Sequence, residues 1–177
     1  MKAKIQELRE SKYFMLMRDT FRQMTGLDIW LDDLDGDDPK SADDLASEYY
    51  QLLVKDEKLN EQIQHSHQEM RDSTHGKKVK YGNGVTGLIH FLVPIHHMGE
   101  EAAYLRCGGI RDSYRGVLKF INFSKDLRDE GYDEDTIDTL KAAFDKLPTL
   151  HGEDLAEAVD WVADRAAVLE SQLEELA

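Results

Sequence analysis

The run Gly87-Leu88-Ile89-His90-Phe91-Leu92-Val93-Pro94-Ile95 decides how this chain is read. It carries no full charge, in a protein in which 33% of the residues are charged. Opened by a glycine and rich in β-branched and aromatic residues, it predicts a strand buried on both faces. His96 to Glu101 reads as a turn and Ala102 to Cys107 as the returning strand, continued by Gly108 and Gly109. Together they form the central hairpin of an antiparallel sheet. Alternation puts His90, Leu92 and Pro94 on one side and Ile89, Phe91 and Val93 on the other.

Outward from the hairpin the order is helical, then strand, helical again, hairpin and helical to the end. Residues 3 to 24 read as one helix, with Phe14, Met17, Phe21 and Met24 as its apolar stripe and Gly26 as its stop. Leu27 to Leu31 is a short strand, and Asp32 to Pro39 an acidic, solvated turn. Ser41 is a suitable N-cap for a helix over 42–54, and Asp56 for another reaching about Ser73. Lys77 to Tyr81 reads as an edge strand kept soluble by its lysines, and Gly82-Asn83-Gly84 as the turn or bulge feeding the buried strand. Beyond Arg111 the chain is helical, with breaks near Gly131 and at Leu147-Pro148. In the last helix Leu155, Val159, Val162, Ala166, Leu169, Leu173 and Leu176 step 4-3-4-3-4-3, the spacing of a coiled-coil seam. That stripe is expected to join two copies of the chain.

Composition removes several classes. With 22 Lys and Arg against 36 Asp and Glu the net charge is −14, which argues against nucleic acid and against an anionic membrane surface. A single cysteine, Cys107, excludes an intrachain disulfide and fits a reducing, cytoplasmic setting. The polar N-terminus is no signal peptide, and no run approaches a membrane span.

The candidates for chemistry are histidines. His65, His67, His75, His90, His96 and His97, with Cys107, supply soft metal ligands. Residues two apart on a helix point about 200° away from each other, so His65 and His67 cannot share an ion there. The acidic turn lacks the first Asp and the final Glu of a calcium loop. Neither a nucleophile elbow, nor a phosphate-binding loop, nor a dinucleotide fingerprint occurs. Cys107 lies mid-strand in an apolar setting, a poor place for a nucleophile. No catalytic constellation and no cofactor site is expected.

The ordered set of motifs resembles the PocR-type sensory domain, a variant of the PAS fold in prokaryotic signalling proteins. The helix ending in Thr25-Gly26-Leu27, the turn at Asp32 to Gly36, the strand from Gly87-Leu88 to Val93-Pro94-Ile95 and the strand Tyr104 to Gly109 carry it, together with Gly131 and Leu147-Pro148 before a long helix. The resemblance spans about residues 13 to 170. Ile63 and Gly84 stand where the family commonly has cysteines, so no metal or redox role is carried over from those positions, and Gly109 replaces the family's Gln. The family implies a small-molecule sensor attached to a DNA-binding or kinase output. If the 177 residues are the whole protein, no such output follows the last helix and the signal is expected to pass by association with another chain.

The expectation is therefore an α+β, PAS-like antiparallel sheet with flanking helices and long N- and C-terminal helices. It divides into a signalling helix (1–26), a sensory core (27–150) and a coiled-coil-like helix (151–177). A small organic ligand is expected between sheet and helices, lined by Trp30, Tyr50, His67, Tyr81, His90, Phe91, Arg106 and Cys107. Since only one face of the hairpin can line a pocket, these names cannot all hold. A histidine-based metalloprotein and a ligand-free dimerisation module remain as alternatives.

Overall fold

The computed structural model describes residues 1–42, 47–73, 76, 79–83, 86–112 and 116–176. Its centre is the hairpin of β3 (Leu88–His97) and β4 (Glu100–Asp112). Met98 and Gly99 close it with φ of 54° and 82°, the two positive values that a two-residue hairpin turn requires. β1 (Asp28–Asp33) pairs antiparallel with the other side of β4, and β2 (Lys80–Asn83) with the outer side of β3, giving the order β1-β4-β3-β2. The short β5 (Thr149–Leu150) joins β4 in parallel beyond the end of β1. Ile89 faces Ile110 while His90 faces Gly108, so Gly109, at φ 82°, is the extra residue of a bulge.

The helix expected over 3–24 is two helices. Ser11 interrupts it, its hydroxyl accepting from the Phe14 N–H to start α2 (Lys12–Thr25) after α1 (Lys2–Arg9). Gly26 ends α2 in the left-handed conformation, at φ 72°. Met24, placed in the stripe by spacing, is exposed instead. Pro39–Ala42 is a single 3-10 turn. Ser47, not Ser41, caps α3 (Glu48–Lys55), and residues 43–46 of the expected helix lie outside the described ones. Asp56 caps α4 (Glu57–Asp72) as its position suggests, accepting from the Leu59 N–H. α5 (Gly116–Asp129), α6 (Glu134–Asp145) and α7 (Gly152–Glu175) complete the chain.

The sheet has two unlike faces. Ile29, Leu31, Phe91, Val93, Ile95, Leu105 and Cys107 pack in one core with Ile5, Leu8, Phe14 and Phe21 of α1 and α2 and with Val162, Leu169 and Leu173 of α7. Burying each large apolar side chain there contributes about 1.5–3 kcal/mol. The heptad stripe of α7 is thus committed to its own chain: Val159, Val162, Ala166, Leu169 and Leu173 are buried, with Leu155 and Leu176 partly so. The reading of that stripe as a seam between chains gives way to a seam between α7 and β3. Glu170 fastens it, accepting from the backbone N–H of His96 at 2.7 Å with the His96 ring at 2.8 Å. No helix among the described residues is long and apolar enough to cross a membrane.

A buried charge cluster on the second face of the sheet

The other face carries Trp30 and Asp32 on β1, His90 and Leu92 on β3, and Tyr104 and Arg106 on β4, with α3 and α4 beyond it. Its middle is polar. Arg106 meets Asp32 with two prongs, Nε to Oδ2 at 2.6 Å and Nη2 to Oδ1 at 3.2 Å. Arg71 of α4 adds Nη1 to Asp32 Oδ2 at 3.1 Å and to Asp37 Oδ1 at 2.8 Å. His67, one helical turn earlier, holds Asp37 Oδ2 through Nδ1 at 2.7 Å. The His67 and His90 rings meet edge to face with centroids 5.0 Å apart.

Two features give His90 its place. Its register partner is Gly108, and a Cβ on that glycine would stand 1.8 Å from His90 Nδ1. The Nδ1 edge of the imidazole therefore takes the space that a side chain at Gly108 would fill. That nitrogen is buried and has no hydrogen-bond partner among the described residues. Leaving such a group unpaired costs about 1–3 kcal/mol.

Burial would raise the Asp37 carboxyl, but Arg106, His67 and Arg71 outweigh it and hold the group below the ordinary carboxylate value. Burial lowers His67, with Arg106 acting in the same direction against the pull of Asp37. Burial lowers His90 further, reinforced by His67 and Arg106. Both imidazoles are thus neutral at pH 7. Because ionised Asp37 only accepts, the His67 proton sits on Nδ1 and its Nε2 is an acceptor. Arg106, despite complete burial, is held charged by Asp32 and Asp37.

The cluster extends through Lys80, whose Nζ donates to the Arg71 carbonyl at 2.6 Å and lies 3.6 Å from Glu101; the Tyr104 hydroxyl donates to the same carboxylate. Lys80 is buried, so it does not serve the edge solubility expected of the lysines, and Lys77 and Lys78 lie outside the described residues. Beside this end runs a groove of about 810 Å³ with Leu34, Gln68, Arg71 and Tyr104 in its wall.

Of the residues chosen from sequence for a pocket, His67, His90 and Arg106 come together in the cluster. Trp30 of β1 and Tyr50 of α3 belong to the apolar layer that borders it. Phe91 and Cys107 point to the opposite face, among the terminal helices, and burial pushes the Cys107 thiol well above its usual value. Tyr81 is exposed at the sheet edge, its ring 6.4 Å from that of Phe91. The cluster also holds Asp32, Asp37 and Arg71, which nothing in the sequence marks as pocket residues. The stretch read as a solvated acidic turn sends Asp32, Asp37 and Asp38 inward, since Arg71, Arg106 and Arg9 are there to meet them. A run of aspartates directly after a strand, with arginines on a helix and a strand elsewhere, is the only sequence signal of this. His65 is exposed beside Glu69, and His75 lies outside the described residues. No three His, Cys, Asp or Glu side chains among the described residues are grouped to hold a metal ion.

The family model of the sensory domain found in PocR matches residues 7–172, nearly the whole chain. No curated protein and no solved structure matches it.

Proposed function

From the premise that this chain belongs to the PocR sensory-domain family, we propose that it detects a small organic molecule in the layer between the sheet and α4. The observation that carries this is His90: a buried imidazole nitrogen without a partner, set among ionised side chains that are themselves paired. A ligand offering one hydrogen bond there would remove the penalty of the empty state. The reading is of binding rather than catalysis, since every charged group in the cluster is engaged by another and none is poised as a nucleophile. Occupancy is passed on through the terminal helices to a partner protein or a second copy. The α7 stripe is spent within the chain, so that contact falls to the outward faces of these helices, where Met15, Leu16 and Met24 of α2 are exposed.

A thermal-shift screen of small polar metabolites on wild type and His90→Leu tests this. Hits should stabilise wild type and lose roughly 1–3 kcal/mol of affinity in the variant. The unliganded variant should be as stable as wild type or more so, because an apolar group replaces an unpaired polar one. Hits that bind both proteins equally would remove the cluster from the account.

A further inference from the structure

Asp37 enters the cluster from outside the regular elements. It belongs to the segment between β1 and the 3-10 turn, and the contacts of its carboxylate among the described residues come from side chains: Arg71 at 2.8 Å, His67 at 2.7 Å, and Arg106 Nη2 at 3.8 Å. Its neighbour Asp38 is fixed differently. The Asp38 N–H donates to Asp32 Oδ1 at 2.8 Å, and its carboxylate accepts from the backbone of Lys40 at 3.0 Å. Asp32 is fixed by its strand. Asp37 is therefore a carboxylate on a short tether, bound as a free carboxylate would be, by a guanidinium and an imidazole N–H.

We propose that Asp37 occupies a recognition site for a small monocarboxylate, and that such a ligand displaces it. The proposal rests on the ligand-binding reading of the same cluster and names the class of ligand. Charge sets the class: Arg71 and Arg106 face Asp32 and Asp37, so removing Asp37 removes one negative charge and its replacement must bring one. A dianion would leave the cluster overcharged, and a neutral molecule would leave a buried guanidinium unbalanced. The groove walled by Leu34, Gln68 and Arg71 meets the site at Arg71. The His90 ring, edge to face with that of His67, stands beside the site. Displacement also has an outlet. The segment that would move holds Asp35, 3.6 Å from Lys2 of α1, and Leu34, whose carbonyl accepts from Gln68. Both contacts are superficial and would release readily, so occupancy would be felt at the N-terminal helix.

The test is melting of wild type, Asp37→Ala and Asp37→Asn in sodium acetate and sodium propionate, against sodium chloride at equal ionic strength. In wild type the tethered carboxylate competes with acetate, so Asp37→Ala should respond at an acetate concentration roughly tenfold or more lower. Its melting point should fall in chloride and recover saturably in acetate, with Asp37→Asn between the two and carrying the test if the alanine variant does not fold. Adding Arg71→Gln should abolish the recovery. Identical responses of all three proteins to carboxylate and chloride would overturn the proposal. A neutral compound that stabilises wild type but not His90→Leu, with carboxylates acting as chloride, would refute the carboxylate class and leave the binding site standing. The absence of any compound whose effect depends on His90 would remove both.

Discussion

Arg106 and Asp32 are diagonal neighbours on β4 and β1, and their two-pronged contact is sealed from water, with side chains 1% and 0% exposed. A buried pair of this kind contributes modestly as a pair and heavily once broken. Asp32→Ala leaves two guanidinium groups facing one carboxylate and should cost about 3–5 kcal/mol in urea denaturation. The double change Asp32→Leu with Arg106→Leu should cost clearly less than the sum of its parts, by about 1–3 kcal/mol. Additive losses would mean that the contact carries no coupling.

Gly108 is required by what lies over it, not by its own backbone, since its φ is not among the positive ones. Gly108→Ala forces the His90 ring aside and should destabilise by about 1–3 kcal/mol. His90→Ala in the same chain vacates that space and should restore most of the loss. If the double variant is no more stable than Gly108→Ala alone, the close approach is not what excludes a side chain.

The two histidines set an acid limit on stability. Their folded values lie below 6.5, the value of the unfolded chain, so between the folded values and pH 6.5 the unfolded state binds more protons. Stability is therefore full above pH 6.5 and is lost as pH falls below it, at up to about 1.4 kcal/mol per pH unit for each histidine. Asp37, lowered on folding, adds its loss only below its unfolded value of 3.8. Urea midpoints from pH 8 to 5 should bend near 6.5, and His90→Leu should reduce the slope. A flat profile down to pH 5 would show that neither imidazole is buried neutral.

Leu169 belongs to the α7 stripe and is fully buried in the core between that helix and the sheet. Leu169→Ala should cost about 2–5 kcal/mol and leave the sedimentation mass unchanged. A fall in mass at undiminished stability would return the stripe to a contact between chains.

Much of this architecture is legible in the sequence because it is local. The uncharged run of β3, the cap at Asp56, the stops at Gly26 and Gly131 and the break at Pro148 each act within a few residues of themselves. His90 stands out for a similar reason, as a polar residue in an apolar strand. The partners of Asp32 do not. Arg106 lies 74 positions away and Arg71 39, so an acidic stretch whose charges are paired at such distances looks the same as one facing water. The α7 spacing shows that the helix has an apolar partner, but the same stripe fits a sheet or another helix. Ser11 escaped for the converse reason: Phe14, Met17 and Phe21 continue the helical period regardless of where the helix begins.

The most direct test is the imidazole 15N NMR spectrum of His90, recorded without and with a compound that stabilises the protein in the thermal screen. An unpartnered Nδ1 that gains a ligand hydrogen bond should shift on addition of the compound, while the exposed His65 stays in place. A compound that binds and stabilises while leaving the His90 nitrogens unmoved would contradict a sensory site on this face of the sheet.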